Sequence, residues 1–130
     1  MSEQHTRHIV EALWHAFDQL DFDAVGSLLH DDFVCEWPQS RERIRGRENF
    51  IAINKHYPGE WRISIQRVIA TDTDAVTEII ASSGGETARA ISFFTLRDGL
   101  IVHIREFWPD PFPAPEWRAQ WVESMENGDY

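Results

Sequence analysis

The sequence predicts an α+β fold in which a curved antiparallel or mixed β-sheet is covered on one face by three helices from the first half of the chain. Three observations predict it. Apolar residues recur at helical spacing only before Pro58; from Trp61 to Trp108 they fall instead in β-rich runs of strand length. The breaks between those runs, at Asp72 to Asp74, Gly84-Gly85 and Arg97-Asp98-Gly99, are short enough for hairpins and too short for parallel crossovers. Helices first and strands afterwards is the order of a layered α+β domain, with no alternation that would build a parallel sheet.

Between Arg7 and Leu20, Ile9, Val10, Leu13, Trp14, Phe17 and Leu20 recur every three or four residues, an amphipathic helix with one face to bury. Its opposite arc carries His5, His8, His15, Glu11, Asp18 and Gln19; three histidines there suggest a metal site, but with no ligand converging from elsewhere the arc reads as a solvated face. Asp21 is placed to cap a second, short helix through Ala24, Val25, Leu28 and Leu29, ended by His30, Asp31 and Asp32. Phe33 to Trp37 reads as a strand closed by Pro38, with Cys35 and Trp37 on one face and Val34 and Glu36 on the other. The arginines at 41, 43, 45 and 47, interleaved with Glu42 and Glu48, read as a solvated loop. Gly46 precedes a third helix carrying Phe50, Ile51, Ile53 and Asn54, which Pro58-Gly59 stops.

In the second half, Trp61, Ile63 and Ile65 alternate with Arg62, Ser64 and Gln66, and strands follow at Ala75 to Ala81, Ala88 to Leu96 and Ile101 to Trp108, which Pro109 ends. Pro111-Phe112-Pro113-Ala114-Pro115 is stiff and extended, and Glu116 to Glu123 has room for one or two helical turns with Trp117 and Trp121 on one face. The expectation is a single domain over 1–130, of which 110–130 is a Pro-rich extension.

The 130 residues, 42% hydrophobic and 26% charged, suit one globular core. A formal net charge of -10 repels phosphate backbones and anionic lipid, so neither nucleic acid nor a membrane is an expected partner. A lone cysteine, Cys35, excludes an internal disulfide or a cysteine zinc site, and no leader-like or membrane-spanning apolar run occurs, so the expected location is cytoplasmic. The chain has no phosphate loop, dinucleotide glycine motif, metalloprotease helix or serine nucleophile elbow, which leaves chemistry without a cofactor.

Three segments carry a family resemblance: Leu28-Leu29-His30-Asp31-Asp32-Phe33-Val34, Arg45-Gly46-Arg47-Glu48-Asn49-Phe50, and Leu96-Arg97-Asp98-Gly99-Leu100-Ile101 followed by Arg105-Glu106-Phe107-Trp108. In that order they resemble the SnoaL-like branch of the nuclear transport factor 2-like superfamily, from Ile9 to Trp108. The resemblance implies a cone-shaped, cystatin-like fold whose mouth accepts hydrophobic organic molecules, in a family of cyclases, isomerases, dehydratases, epoxide hydrolases and binders. It also implies pairing of two copies through the outer sheet face, where Arg62, Ser64, Gln66 and Arg89 are expected to point. Glu106 falls where polyketide cyclases of this branch, and limonene epoxide hydrolase-like members, carry a pocket aspartate. Trp37 stands where ketosteroid isomerase-like members place their base, and Ile79 and Ala81 stand where the epoxide hydrolase-like members add an arginine and a second aspartate.

Strand alternation independently sets Glu106 on a face with Val102, Ile104 and Trp108, opposite His103, Arg105 and Phe107. A carboxyl among apolar neighbours has its charged form disfavoured and becomes a proton donor or acceptor near neutrality; the competing reading is a surface glutamate paired with Arg105 or Arg89. The candidate catalytic residue is therefore Glu106, and the candidate substrate wall is Trp14, Phe17, Cys35, Trp37, Ile104 and Trp108. Trp61, Trp117 and Trp121 are further candidates for the cone mouth, while His56 and His103 are isolated and read as structural. The expected ligand is a hydrophobic small molecule. Function stays open among a cofactor-independent acid/base enzyme, a non-catalytic binder and a dimerisation module.

Overall fold

The computed structural model describes residues 2–125; Met1 and the last five residues of the expected C-terminal extension, 126–130, lie outside the described residues. Helix α1 (Glu3–Asp18) starts at Ser2, whose hydroxyl accepts the His5 N–H at 3.0 Å, and buries Ile9, Val10, Leu13 and Trp14 against the sheet. The histidine arc is solvent-facing, and among the described residues no three His, Cys, Asp or Glu side chains converge to hold a metal. Asp21 caps α2 (Phe22–Ser27) by accepting the Ala24 N–H at 3.1 Å.

Helix α2 is shorter than its apolar spacing suggests. Leu28 is already its C-cap, and β1 (Leu29–Trp37) begins at once, so His30, Asp31 and Asp32 belong to a strand and not to a helix end. The spacing of Val25, Leu28 and Leu29 fits either state; pairing of Leu29 with Ile101, and the Ile101 N–H donated to the Leu28 carbonyl at 2.9 Å, decide for the strand. The arginine segment corrects a second expectation. Glu42–Arg45 forms β2, antiparallel to β1 with Ile44 opposite Cys35 and buried in the core. One apolar residue in four is too weak an alternation to read as a strand, and the flanking arginines are held by acids, Arg43 by Glu36 at 2.9 Å and Arg47 by Asp31 at 2.7 Å.

Gly46 turns the chain from β2 into α3 (Arg47–His56). Its φ of 88° is open to glycine, and its N–H reaches the Phe33 carbonyl at 2.8 Å. Phe50 of α3 then packs on Phe33 at 5.0 Å and on Phe17 of α1 at 5.9 Å, and Phe17 packs in turn on Phe22 of α2 at 6.4 Å, which ties the three helices to one sheet face.

Strands β3 (Arg62–Ala70), β4 (Asp74–Ser83), β5 (Glu86–Arg97) and β6 (Leu100–Phe107) are successive antiparallel partners, and β6 also lies parallel to β1, giving the mixed order β2-β1-β6-β5-β4-β3. First and last long strands are thus neighbours whose C-terminal ends meet at the same end of the sheet. Besides a register shift in the β1–β6 pair between Leu29 and Val34, two bulges modify the simple alternation. One between Ile65 and Arg67 leaves Ile65 exposed while Val68 and Ala70 turn to the core; the other, between Thr95 and Leu96 opposite β6, puts Ile101 rather than Val102 inside.

Arg62 does not stand free on the outer sheet face. Its Nε and Nη2 donate to the two Asp18 carboxylate oxygens at 2.9 and 3.1 Å, and Asp18 also accepts the Ile63 N–H at 2.9 Å, tying the end of α1 to the edge strand. The hydrogen bonds from Arg62 and Ile63 hold the Asp18 carboxyl well below the usual carboxylate range. Its folded-state pKa is depressed, so its contribution is complete above an unfolded value of about 3.9 and is lost progressively as pH falls from there down through the folded value. Asp18→Ala should cost about 1 kcal/mol at pH 7, discounted for the exposure of Arg62. In urea unfolding from pH 7 down to 3, the gap to wild type should hold and then begin to narrow below the unfolded carboxylate value; a constant gap would mean that the carboxylate charge is irrelevant.

Past Phe107 the chain leaves the sheet, and Glu116–Trp121 forms a 3₁₀ turn. Trp117 and Trp121 are 73% and 71% exposed there, so neither belongs to the cone wall.

Candidate active site

The parallel pairing of β1 with β6, and the antiparallel pairing of β6 with β5 and β5 with β4, lay one row of inward side chains across four strands. Thr77 on β4 is opposite Ser92 on β5, Ser92 is opposite Glu106 on β6, and Trp37 on β1 lies one step beyond the Glu36–Arg105 pair. All are on the helix-covered face. The row is polar where the rest of the sheet's inner face is apolar, and each member is satisfied. Trp14 of α1 donates its indole N–H to the Thr77 hydroxyl at 3.0 Å, Ser92 donates to Glu106 Oε2 at 2.6 Å, and the indoles of Trp37 and Trp108 both donate to Glu106 Oε1 at 3.1 Å. Trp108 is itself fixed from behind, its backbone N–H donating to the Gln39 side-chain oxygen at 2.5 Å.

Glu106 is 5% exposed and has none of the arginine partners of a surface glutamate: Arg89 pairs with Glu78 at 2.6 Å, and Arg105 turns to the other face, 3.8 Å from Glu36. Burial pushes the Glu106 pKa above the ordinary value; the hydrogen bonds from Ser92, Trp37 and Trp108 oppose that shift without cancelling it.

Above this carboxyl opens a cavity of about 470 Å³ between sheet and helices. Trp14, Phe17, Trp37, Ile104, Glu106 and Trp108 all line it, so six of the seven residues singled out in the sequence come together. Cys35 is the correction. It is fully buried behind the wall, and burial, reinforced by Glu106 and Glu36, pushes its thiol pKa upward, which makes it a packing residue and a poor nucleophile. Cys35 shares the inward face of β1 with Trp37, as the alternation indicates, but deeper in the strand that face meets core and not cavity.

The sequence reading passed over other wall residues. Leu13 and Phe22 add to the helical wall, Phe50, Asn54 and Tyr57 come from α3 and its end, Ala81 and Ala88 from the sheet, and Gln39, Ser40 and Asp110 from the rim. Ser92 and Thr77 were legible as small polar residues on otherwise apolar strand faces, beside Ala90 and Phe94 and beside Ala75 and Ile79; nothing local marks such a hydroxyl as the partner of a glutamate on another strand. His103 is accounted for outside the cone, 2.8 Å from Glu36, whose pKa is lowered chiefly by that contact and by Arg43.

Residues 10–104 match the family model described as the SnoaL-like domain. No curated protein matches the chain at a significant level. Among solved structures, one from Kribbella flavida DSM 17836, named provisionally as a ketosteroid isomerase, superposes with a TM-score of 0.92 at 27% identity over 97% of this chain and 93% of that one. A nuclear transport factor 2-like protein of unknown function from Burkholderia xenovorans LB400 superposes with a TM-score of 0.83 at 37% identity, over 97% and 99%. An LEH-like epoxide hydrolase from Mycobacterium tuberculosis gives 0.68 at 26% identity, over 83% and 84%. With the family model spanning most of its length, the chain belongs to the SnoaL-like family of the nuclear transport factor 2-like superfamily.

Proposed function

We propose that this chain is a cofactor-independent acid/base enzyme that binds a hydrophobic organic molecule in the cone and moves a proton to or from it with Glu106. The observation that carries this reading is a carboxyl 5% exposed, at the wall of an apolar cavity, with its pKa raised by burial. Its hydrogen bonds suit the task. An indole N–H only donates, so Oε1, facing two of them, stays the unprotonated oxygen; the proton belongs on Oε2, where the Ser92 hydroxyl turns from donor to acceptor. Glu106 then keeps a hydrogen bond on each oxygen in both charge states, which keeps both forms accessible during a proton transfer.

Two departures narrow the chemistry. Ile79 is fully buried and Ala81 is part of the apolar wall, so the arginine and second aspartate of the water-activating arrangement have no counterpart, and epoxide hydrolysis by that arrangement is disfavoured. Trp37, at the position of an isomerase base, is instead a donor to Glu106. A cyclase, isomerase or dehydratase-like reaction with one carboxyl is what these residues support. A second reading, a binder without turnover, is favoured by one observation: all three donors to Glu106 come from the chain itself and occupy both oxygens. The two readings separate on exchange of carbon-bound protons of uncharged cyclic ketones with D₂O, followed by NMR. Exchange that depends on Glu106 supports the enzyme; binding across the panel with no exchange or turnover supports the binder.

We also propose that two copies pair through the outer sheet face. Ile69 and Phe93 are exposed there, Phe93 packs edge-on to Phe107 at 6.3 Å, and the apolar strip is bordered by ion pairs of both signs, Arg89 with Glu78 and Arg105 with Glu36. A twofold axis would bring each sign against its opposite. Light scattering at micromolar concentration should return twice the chain mass, and Phe93→Glu should return one; a wild-type monomer would refute the pairing.

A further inference from the structure

We infer that the cavity selects its ligand by charge, accepting uncharged or cationic ring-bearing molecules and rejecting anions. The inference rests on reading the cavity as a ligand site and adds which chemistry that site admits. Among the described residues lining it, the ionisable side chains other than the Tyr57 phenol are both acids, Glu106 on the wall and Asp110 at the exposed rim; none is lysine, arginine or histidine. Three arginines adjacent in sequence to wall residues are engaged by acids: Arg62 by Asp18, Arg89 by Glu78, and Arg105 on the outer face by Glu36.

The indole hydrogen-bond donors of the wall are committed as well. Four indoles line the cavity, and every one of their N–H groups has a partner in the chain: Trp14 donates to Thr77, Trp37 and Trp108 to Glu106, and Trp61 to the Pro58 carbonyl at 2.9 Å. Asn54 donates to the Phe50 carbonyl at 2.8 Å. A buried ligand therefore meets carboxylate oxygens and the electron-rich faces of aromatic rings, which attract positive charge and repel negative charge. A carboxylate or phosphate brought here would lose its water and gain no cation and no indole donor, while facing Glu106 across a medium of low polarity. An alcohol or an ammonium brings its own donors and suffers neither loss.

Calorimetric titration with three molecules of one ring system, 2-naphthylmethanol, protonated 2-naphthylmethylamine and 2-naphthoate, tests this at pH 7.5. The alcohol and the amine should bind at least about tenfold more tightly than the naphthoate. The double substitution Glu106→Gln with Asp110→Asn should bring alcohol and naphthoate to within about threefold, because the neutral amides keep the shape and remove the repulsion. Naphthoate binding as tightly as the alcohol in the wild type overturns the inference. Absence of binding by all three overturns it together with the reading of the cavity as a ligand site. Should the charge order appear while Glu106→Gln retains proton exchange, charge selection stands and the catalytic role of Glu106 falls.

Discussion

Glu106→Gln should lower turnover by about 10²- to 10⁴-fold, the usual worth of a positioned acid or base, and should leave the fold intact. The substitution is close to an imitation of the protonated acid. The glutamine carbonyl takes the place of Oε1 under the two indole donors, and its amide takes the place of the protonated Oε2 and donates to Ser92. The same imitation gives a second readout with a definite sign. Burial raises the folded-state pKa of Glu106 above its unfolded value of about 4.3, so folding takes up a proton in that window and the wild type loses stability as pH rises through it. The glutamine has no charge to bury. Thermal melts should show the variant gaining on the wild type as pH rises from 5 to 8. A wild type that is the more stable of the two at pH 8 would mean that the donors stabilise the carboxylate more than burial penalises it, and Glu106 would then be a fixed anion unsuited to exchanging protons.

The largest loss of stability is expected at Phe94. It is 1% exposed on β5, two residues from Ser92 on the same face, and the edge-on contact of its ring with Trp14 at 6.4 Å helps hold that indole where it reaches Thr77. Phe94→Ala should cost about 3–5 kcal/mol, a large part of the roughly 5–15 kcal/mol that holds a domain together, because α1 and the sheet are both fixed by other contacts and cannot collapse into the void. Phe94→Leu should recover more than half of the loss. Urea unfolding measures both; a cost below about 1 kcal/mol for the alanine variant would show that the layer relaxes freely and that Phe94 does not brace the cavity floor.

Much of this architecture can be read from local pattern. The 3.6-residue spacing of Ile9, Val10, Leu13 and Trp14 and the period-two spacing of Ala75, Thr77, Ile79 and Ala81 specify which face of each element is buried, since burial of one face is what makes such a pattern. That was enough to place three helices over a sheet and to turn Glu106, Ile104 and Trp37 toward the same interior. Local pattern failed where a segment had too few residues to carry a period, as in Arg43-Ile44-Arg45, or fitted two periods equally, as at Leu28-Leu29.

The amino-acid sequence by itself determined the α+β order, the buried faces and the presence of a carboxyl among apolar neighbours, because each of these depends on residues close together along the chain. Only the tertiary structure decided what surrounds that carboxyl. Ser92 and Trp37 reach it because β6 is inserted between β1 and β5, and Cys35 is withdrawn from the wall by the depth of its strand position. Which hydroxyl meets which carboxylate is fixed by strand order and register. Those in turn are set by the sum of many long-range contacts, and no single stretch of sequence contains that sum.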